Sequence, residues 1–353
     1  MEVIMKPNTF VKLAMALSAV ALITLIGCSK KADQDTLTTA MPNMDSIAQQ
    51  VASKAGRDVG PRRVSIDTPT DTSTALAATI YDLAVNDSLV VVALDNGALM
   101  YDLNQGTHSS IEAGKPMTAA VWRDGAAYVG GDKLYRLEGN ALAVVDEPFT
   151  DPITALYSYG SLLMIGTEGG LYAQSAIGTS SLMEGVFVTS MVADNSGLWV
   201  GTDGQGLYRW DGTSVTKRYL IRDSSLFDYV NCLDFGHDHL YLGTDSGLYV
   251  FDGGRWQTFT VANGLPSDDI TAIDASGWIV NIGTEAGITT YFNNEFRPLT
   301  TLANHCATVL KYSSKGLLVG TDTEGLLLQS GSVIRTLVAP KGMNELAILW
   351  PLK

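Results

Sequence analysis

A short motif recurs seven times between residues 91 and 322, and this repeat constrains the fold more than any other feature of the chain. Each copy is an apolar run with a small residue near its end and Asp or Glu two positions later, as in Leu198-Trp-Val-Gly-Thr-Asp203. A period near 40 residues with four strand-like segments per repeat is typical of a β-propeller. The small residues, spaced by 37, 36, 35, 42, 40 and 37 positions, are Ala93, Gly130, Gly166, Gly201, Gly243, Gly283 and Gly320.

The fourth repeat illustrates how one unit divides into strands. Period-two alternation and turn residues predict strands over residues 188–193, 198–202, 207–210 and 214–221. The second of these strands is almost entirely apolar, which indicates that both of its faces are covered by neighbouring sheets. Stacked blades bury each other's faces, and closure of the ring removes the two terminal faces. The sequence therefore predicts an all-β fold, a seven-bladed β-propeller of four-stranded antiparallel blades.

Two details of the predicted ring follow from the same repeats. A glycine in most second strands predicts close approach of adjacent blades, so that a larger side chain there should clash with the next sheet. After the last strand, near residues 332–338, residues 344–350 contain a further strand-like run. This run could pair with the segment near residues 63–66, close the ring by strand exchange, or begin an incomplete eighth blade.

Residues 1–27 have the form of a signal peptide. Lys6 and Lys12 precede fourteen uncharged residues, which are too few to span a bilayer comfortably. The run ends in Leu25-Ile26-Gly27-Cys28, which resembles the lipobox of bacterial lipoproteins; the alternative is a secretory signal with a chance cysteine. The resemblance implies cleavage before Cys28 and acylation of Cys28, for which we expect stable anchoring because several acyl chains are attached. Ser29, rather than Asp, follows the cysteine, which in enteric-type bacteria implies outer-membrane localisation.

Residues 28–72 are predicted to be a flexible tether. They are rich in Thr, Ser, Ala, Asp and Met, a composition that buries too little apolar surface to hold one conformation. One short helix between residues 45 and 56 is consistent with the spacing of Ile47, Ala48 and Val51. The propeller domain is then predicted to span residues 73–353.

The repeats also resemble the two-component regulator propeller repeats of bacterial periplasmic sensors. Residues 198–291 carry the similarity most clearly, including Trp256-Gln-Thr-Phe259 and Gly264-Leu-Pro-Ser267. The first two repeats depart from the pattern, because Leu94 and Gly131 replace its threonine. The resemblance implies the fold and an extracytoplasmic role, but propellers carry many unrelated functions. No kinase or membrane span follows the repeats. We therefore expect the resemblance to cover the propeller of these sensors and not their kinase architecture.

One column of acidic residues lies two positions after the small residue of each repeat. In a propeller these side chains would form an acidic ring on one face, where they could bind cations or a basic partner. The alternative is turn chemistry, since an Asp at the start of a tight turn accepts backbone N–H bonds. The members of the column are Asp95, Asp132, Glu168, Asp203, Asp245, Glu285 and Asp322.

Two further features are candidates for binding. A polar column on the innermost strands is predicted to face a central channel and hold water or a small ligand. Its members are Thr79, Thr118, Thr154, Thr189, Asn231, Thr271 and Thr308. The loop containing Leu226, Phe227 and Tyr229 either presents an anchor for a partner or folds inward as a small satellite core.

Composition and motifs limit the function classes. The formal charge is −14 and no basic stripe is visible, so we expect no nucleic-acid partner. We expect no metal site and no cofactor, and no catalytic set is recognisable. The first hypothesis is a membrane-anchored envelope lipoprotein that acts as a protein-interaction or assembly scaffold, with a protein partner in the cell envelope. The alternatives are an extracytoplasmic sensor or binder of a carbohydrate (glycan) or small ligand, and a lyase or hydrolase with its site at the channel mouth.

Overall fold

Apolar runs alternating with turn residues divide the chain into strands of four to seven residues. The computed structural model describes residues 79–145, 147–219 and 229–339. Within these residues, 28 strands form seven sheets, and each sheet consists of four consecutive antiparallel strands. Two short 3-10 helices, Val261–Asn263 and Thr300–Leu302, lie in the loops before the last two sheets.

Four strands in chain order make each blade. They are β1 (Ile80–Asn86), β2 (Leu89–Leu94), β3 (Gly97–Asp102) and β4 (Thr107–Glu112); β5 (Ala119–Arg123), β6 (Ala126–Gly130), β7 (Leu134–Glu138) and β8 (Ala141–Val145); β9 (Ile153–Tyr159), β10 (Leu162–Thr167), β11 (Gly170–Ser175) and β12 (Gly178–Glu184); β13 (Val188–Asp194), β14 (Gly197–Thr202), β15 (Leu207–Trp210) and β16 (Val215–Tyr219); β17 (Cys232–Gly236), β18 (His239–Thr244), β19 (Gly247–Phe251) and β20 (Trp256–Phe259); β21 (Ile270–Asp274), β22 (Val280–Thr284), β23 (Gly287–Phe292) and β24 (Glu295–Pro298); β25 (Ala307–Ser313), β26 (Gly316–Thr321), β27 (Leu326–Ser330) and β28 (Val333–Val338).

The first strand of each blade packs against the first strand of the next blade, and β25 packs against β1. The prediction of a seven-bladed propeller is thus confirmed. The strands of the fourth repeat match their predicted positions within two residues, except that residues 220–221 lie outside the described part of the chain. Blades 1 and 7 each consist of four consecutive strands, and the run at 344–350 also lies outside the described residues.

The core is the set of interfaces between blades. Second strands are almost fully buried, as in β14, where all six residues are inaccessible. Burial of each Val or Leu side chain in such a position contributes about 1.5–3 kcal/mol. At the seam between blades 7 and 1, Ile80, Leu99, Leu318 and Leu326 belong to one cluster. The ring is therefore closed by the same apolar packing that joins its other blades.

The predicted close approach at the repeated glycine is confirmed. A Cβ atom placed on Gly130 would lie 2.4 Å from Cγ2 of Ile153, and one on Gly166 would lie 2.5 Å from Cγ1 of Val188. Ile153 and Val188 each begin the innermost strand of the following blade. At these two positions the glycine therefore leaves room for the branched residue that starts the next sheet.

The two faces of the ring carry different connections. The loop face carries the turns between second and third strands together with the loops that join blades. The turn face carries the turns between first and second strands and between third and fourth strands. This division follows from the antiparallel order of the four strands in each blade.

Candidate functional site

The central channel holds a cluster of charged side chains. Lys311 on β25 interacts with Asp82, Asp234 and Asp274, which come from the innermost strands of blades 1, 5 and 6. Burial of the ammonium group tends to lower the pKa of Lys311, but the three carboxylates outweigh it and raise the pKa above its usual value. Charged side chains from four blades can interact electrostatically in this way only where the innermost strands surround the channel.

Two of these carboxylates also join neighbouring blades. Asp82 accepts hydrogen bonds from the backbone N–H of Leu83 (2.8 Å) and, across the interface, of Ala120 (2.9 Å). Asp234 likewise accepts the N–H of Ala275 in the next blade at 2.8 Å. Burial raises the pKa of Asp82 to about 6 and raises that of Asp234, against the opposing effects of Lys311 and the backbone donors.

Sequence reasoning missed this cluster. A signal was present, because Asp234, Asp274 and Lys311 each lie three residues after the polar member of the column at Asn231, Thr271 and Thr308. A charged residue within a short apolar innermost strand needs a partner, since an isolated buried charge is costly. One strand alone does not reveal that the partner lies in another blade.

The polar column itself acts differently from the prediction. The hydroxyl groups of Thr118, Thr154 and Thr308 donate to the carbonyl oxygens of Ile153, Val188 and Ile80, which start the innermost strand of the next blade. These hydrogen bonds hold adjacent blades together, so these three hydroxyl groups are not donors to channel water.

The register of blade 1 also corrects one member of this column. Tyr81 lies at the bulge between Ile80 and Asp82, where the other blades have Thr or Asn. Thr79 lies one residue before β1 and donates instead to the carbonyl of Asp322 in blade 7, at 3.2 Å.

The acidic ring lies on the loop face, and all seven of its side chains are at least partly exposed. The turns beside it are stabilised mainly by the preceding threonine. In blade 3 the hydroxyl of Thr167 accepts the N–H groups of Gly169 and Gly170. In blade 6 the hydroxyl of Thr284 accepts the N–H of Ala286 and donates to the carbonyl of Gly287. In blades 3 and 6 these turn hydrogen bonds are thus made by the threonine and not by Glu168 or Glu285.

Blades 1 and 2 have no such threonine. Their acidic residues interact with nearby backbone or side-chain groups. In blade 1 the pKa of Asp95 is raised by burial, and the backbone N–H groups of Asp95 and Asn96 oppose the rise. In blade 2 the carboxylate of Asp132 pairs with Lys115 at 2.8 Å and accepts the hydroxyl of Tyr135. The ring is therefore uneven, with its most solvent-exposed members at Asp132 and Glu285.

The predicted partner loop is only partly described. Leu226 and Phe227 lie outside the described residues, as does the lipidation candidate Cys28. Tyr229 is half-buried and forms an isolated antiparallel bridge with Asp203. Its ring lies beside Gly204, whose added Cβ would be 3.6 Å from it. Tyr229 thus packs against the second-to-third strand turn of its neighbouring blade.

The turn face carries the largest exposed apolar side chains among the described residues. Trp278 is 89% exposed, and Ile279 and Tyr312 are 42% and 54% exposed. The Tyr312 ring lies beside Gly277, where an added Cβ would be 3.7 Å from it. Phe292, 45% exposed, ends β23 at the same edge of blade 6. We call Trp278, Ile279, Phe292 and Tyr312 the aromatic patch.

Two hydrogen-bonding contacts fix the turn that carries Trp278. The Nε2 atom of His237 lies 2.8 Å from the carbonyl oxygen of Gly277, and the hydroxyl of Ser276 donates to Asp274 at 2.7 Å. The first contact comes from blade 5 and the second from the buried carboxylate at the end of β21. The exposed indole is therefore displayed on a fixed backbone.

The described residues contain no group of three His, Cys, Asp or Glu side chains placed to hold a metal ion. No helix among them has both the length and the apolar character needed to cross a membrane.

No protein-family model and no curated protein matches this sequence. Solved structures do match it. The extracellular domain of the hybrid two-component system BT3049 from B. thetaiotaomicron has a TM-score of 0.57 and 16% identity, over 71% of this chain and 38% of that one. The match thus spans about two fifths of that extracellular domain.

Two smaller propeller proteins match over most of their own length. The WD40 β-propeller domain of Doa1 has a TM-score of 0.56 and 13% identity, over 70% of this chain and 91% of that chain. YCF48, solved bound to a D1 peptide, has a TM-score of 0.59 and 11% identity, over 73% and 94% of the two chains. At these identities the matches show a shared propeller fold.

Proposed function

We propose that this chain is a lipid-anchored envelope protein whose propeller binds a protein partner through its turn face. The observation that carries the proposal is the aromatic patch. Large apolar side chains clustered on the surface of a folded domain are typical of interaction sites, and Trp and Tyr are enriched among the residues that dominate binding energy. A side chain that is 89% exposed, such as Trp278, contributes little to folding of the isolated ring.

Two further points support this reading. Binding sites are often built on exposed segments that a rigid scaffold positions, and Trp278, Ile279 and Tyr312 lie at or just beyond the ends of the innermost strands β21 and β25. Among proteins of the same fold, YCF48 was solved with a bound peptide. The lipobox resemblance at Cys28 supports action at a membrane surface outside the cytoplasm.

Site-specific photocrosslinking in intact cells tests the interaction. A photoreactive phenylalanine analogue at position 312 should give a discrete adduct of higher mass on ultraviolet irradiation. Position 177 is the matched control, because Ile177 is 99% exposed and also lies in a turn of the same face. Equal adducts at both positions, or none at position 312, would contradict the proposal.

Anchoring is tested separately. Cells fed an alkyne-labelled palmitate should label the wild-type protein, and Cys28→Ser should abolish the label and move the exported protein into the soluble envelope fraction. Retention of label, or of membrane association, in Cys28→Ser would show that the anchor lies elsewhere.

A further inference from the structure

A narrow cleft opens on the turn face between blades 4 and 5, next to the turn that supports Trp278. Its volume is about 180 Å³, and its lining includes Trp199, Phe235, Phe251, Asp194 and Asp238. Pockets for small-molecule ligands usually measure about 300–1,000 Å³, so this cleft is sized for a single side chain.

The walls of the cleft are aromatic and well supported. Trp199 is only 3% exposed and meets Phe251 edge to face, with 6.2 Å between ring centroids. Phe251 in turn stacks on Trp256 at 4.8 Å. These rings are therefore held in place before any ligand arrives, and their electron-rich faces, unlike their electropositive edges, attract cations.

The same group of residues already holds one cation. The guanidinium of Arg209 lies 4.2 Å from the Trp199 ring and forms an ion pair with Asp194. Burial tends to raise the pKa of Asp194, but hydrogen bonds from Arg209, Ser196 and Trp199 lower it to about 2. The charge of Asp194 is thus balanced within the protein, and a second cation needs another carboxylate.

Asp238 supplies that carboxylate. Its side chain is exposed and makes no hydrogen bond or ion pair with the described residues. It lies in the left-handed region at φ 59°, directly after His237 at φ 54°. The corresponding turn of blade 2 has Gly125 at this second position, which adopts such a φ at less cost. Blade 5 thus carries a charged side chain where the backbone favours glycine.

From this combination we infer that the cleft receives the lysine or arginine side chain of the protein partner. The inference rests on the proposed function and names the chemistry of the partner. The aromatic walls attract a cation and pack against its aliphatic stem, while Asp238 pairs with its charge. The formal charge of −14 favours a basic partner and disfavours an acidic one.

Titration followed by NMR tests the inference with defined probes. The exported full chain carrying Cys28→Ser is titrated with N-acetyl-arginine amide and N-acetyl-lysine amide, and the indole N–H signal of Trp199 is observed. Saturable shifts are expected with both compounds. N-acetyl-citrulline amide and N-acetyl-norleucine amide, which have similar shapes without the charge, should give none.

Asp238→Asn should weaken binding of the arginine amide at least fivefold. Asp124→Asn is the matched control, since it removes the same charge from the equivalent turn of blade 2 and should leave binding unchanged. Phe251→Leu, which keeps the apolar packing but removes the ring, should also weaken binding. Equal responses to arginine and citrulline, or wild-type binding by Asp238→Asn, would overturn the inference.

The two proposals can fail independently. If the adduct at position 312 forms equally well in Asp238→Asn and in the wild type, the partner binds the aromatic patch without using the cleft. If the arginine amide binds as expected but no adduct forms at position 312, the cleft recognises cations and the proposed partner surface is wrong.

Discussion

Lys311 in the seventh blade and Asp82 in the first blade lie on adjacent innermost strands, at the seam where the ring closes. Asp82 in turn accepts the backbone N–H of Ala120 in blade 2. The carboxylate therefore connects three consecutive blades, and its charge is balanced by the only lysine among the described innermost strands.

We expect Lys311→Met to destabilise the propeller by about 1–3 kcal/mol, because it removes the positive charge that offsets the three carboxylates of this half-buried cluster. Urea-induced unfolding measures the change. Lys315→Met is the control, since Lys315 is exposed in the following turn and its loss should cost less than about 0.5 kcal/mol. Equal stability of the two variants would show that the cluster does not depend on Lys311.

Asp82 should make stability fall as pH rises. Its pKa is about 6 in the folded protein and 3.8 in the reference state, so the folded state holds the proton more tightly. The resulting stabilisation is complete below the lower value and is lost as pH rises through about 6. From pH 7 to pH 5 this group alone should add about 1 kcal/mol to the free energy of unfolding. Asp82→Asn should remove that increment, and an unchanged pH dependence in this variant would refute the assignment.

The repeated glycine should be replaceable only where the next blade leaves room. Gly166→Ala would bring a Cβ atom to 2.5 Å from Val188, whereas Gly283→Ala would bring it to 3.0 Å from the Cβ of Ala307. We expect the first variant to lose about 1–3 kcal/mol and the second to lose less. Thermal unfolding of the pair checks this order, and the reverse order would contradict it.

The threonine and the acidic residue of the same turn should contribute differently to the stability of the fold. Thr284→Val removes a fully buried hydroxyl that both donates and accepts, and should cost about 1–3 kcal/mol. Glu285→Gln changes an exposed side chain and should cost less than about 0.5 kcal/mol. Comparable losses in both variants would restore a turn-stabilising role to the acidic ring.

Much of the fold could be predicted because each blade of a propeller repeats the same local sequence pattern. The period, the Asp211-Gly212 hairpin turn and the apolar second strand identify the blades without long-range information. The clash expected at Gly130 and Gly166 followed from the same reasoning, since sheets that bury both faces leave no room for a larger residue.

The candidate sites were less predictable. The acidic ring stays a prediction as a binding site, and hydrogen bonds in its turns are made by residues such as Thr167 and Thr284. The aromatic patch has no repeat signature, because Trp278 and Tyr312 occupy non-equivalent places in neighbouring blades. Only their exposure distinguishes them from the many aromatic residues of the core.

The sequence by itself determined the seven units, their strands and the residues that allow the blades to stack, because each depends on neighbours within one repeat. Only the tertiary structure decided which charges meet in the channel and which side chains share a face. Asp82 and Lys311 are 229 positions apart, and ring closure brings them together. Electrostatic contacts and binding surfaces depend on such distances in space, which a linear repeat does not encode.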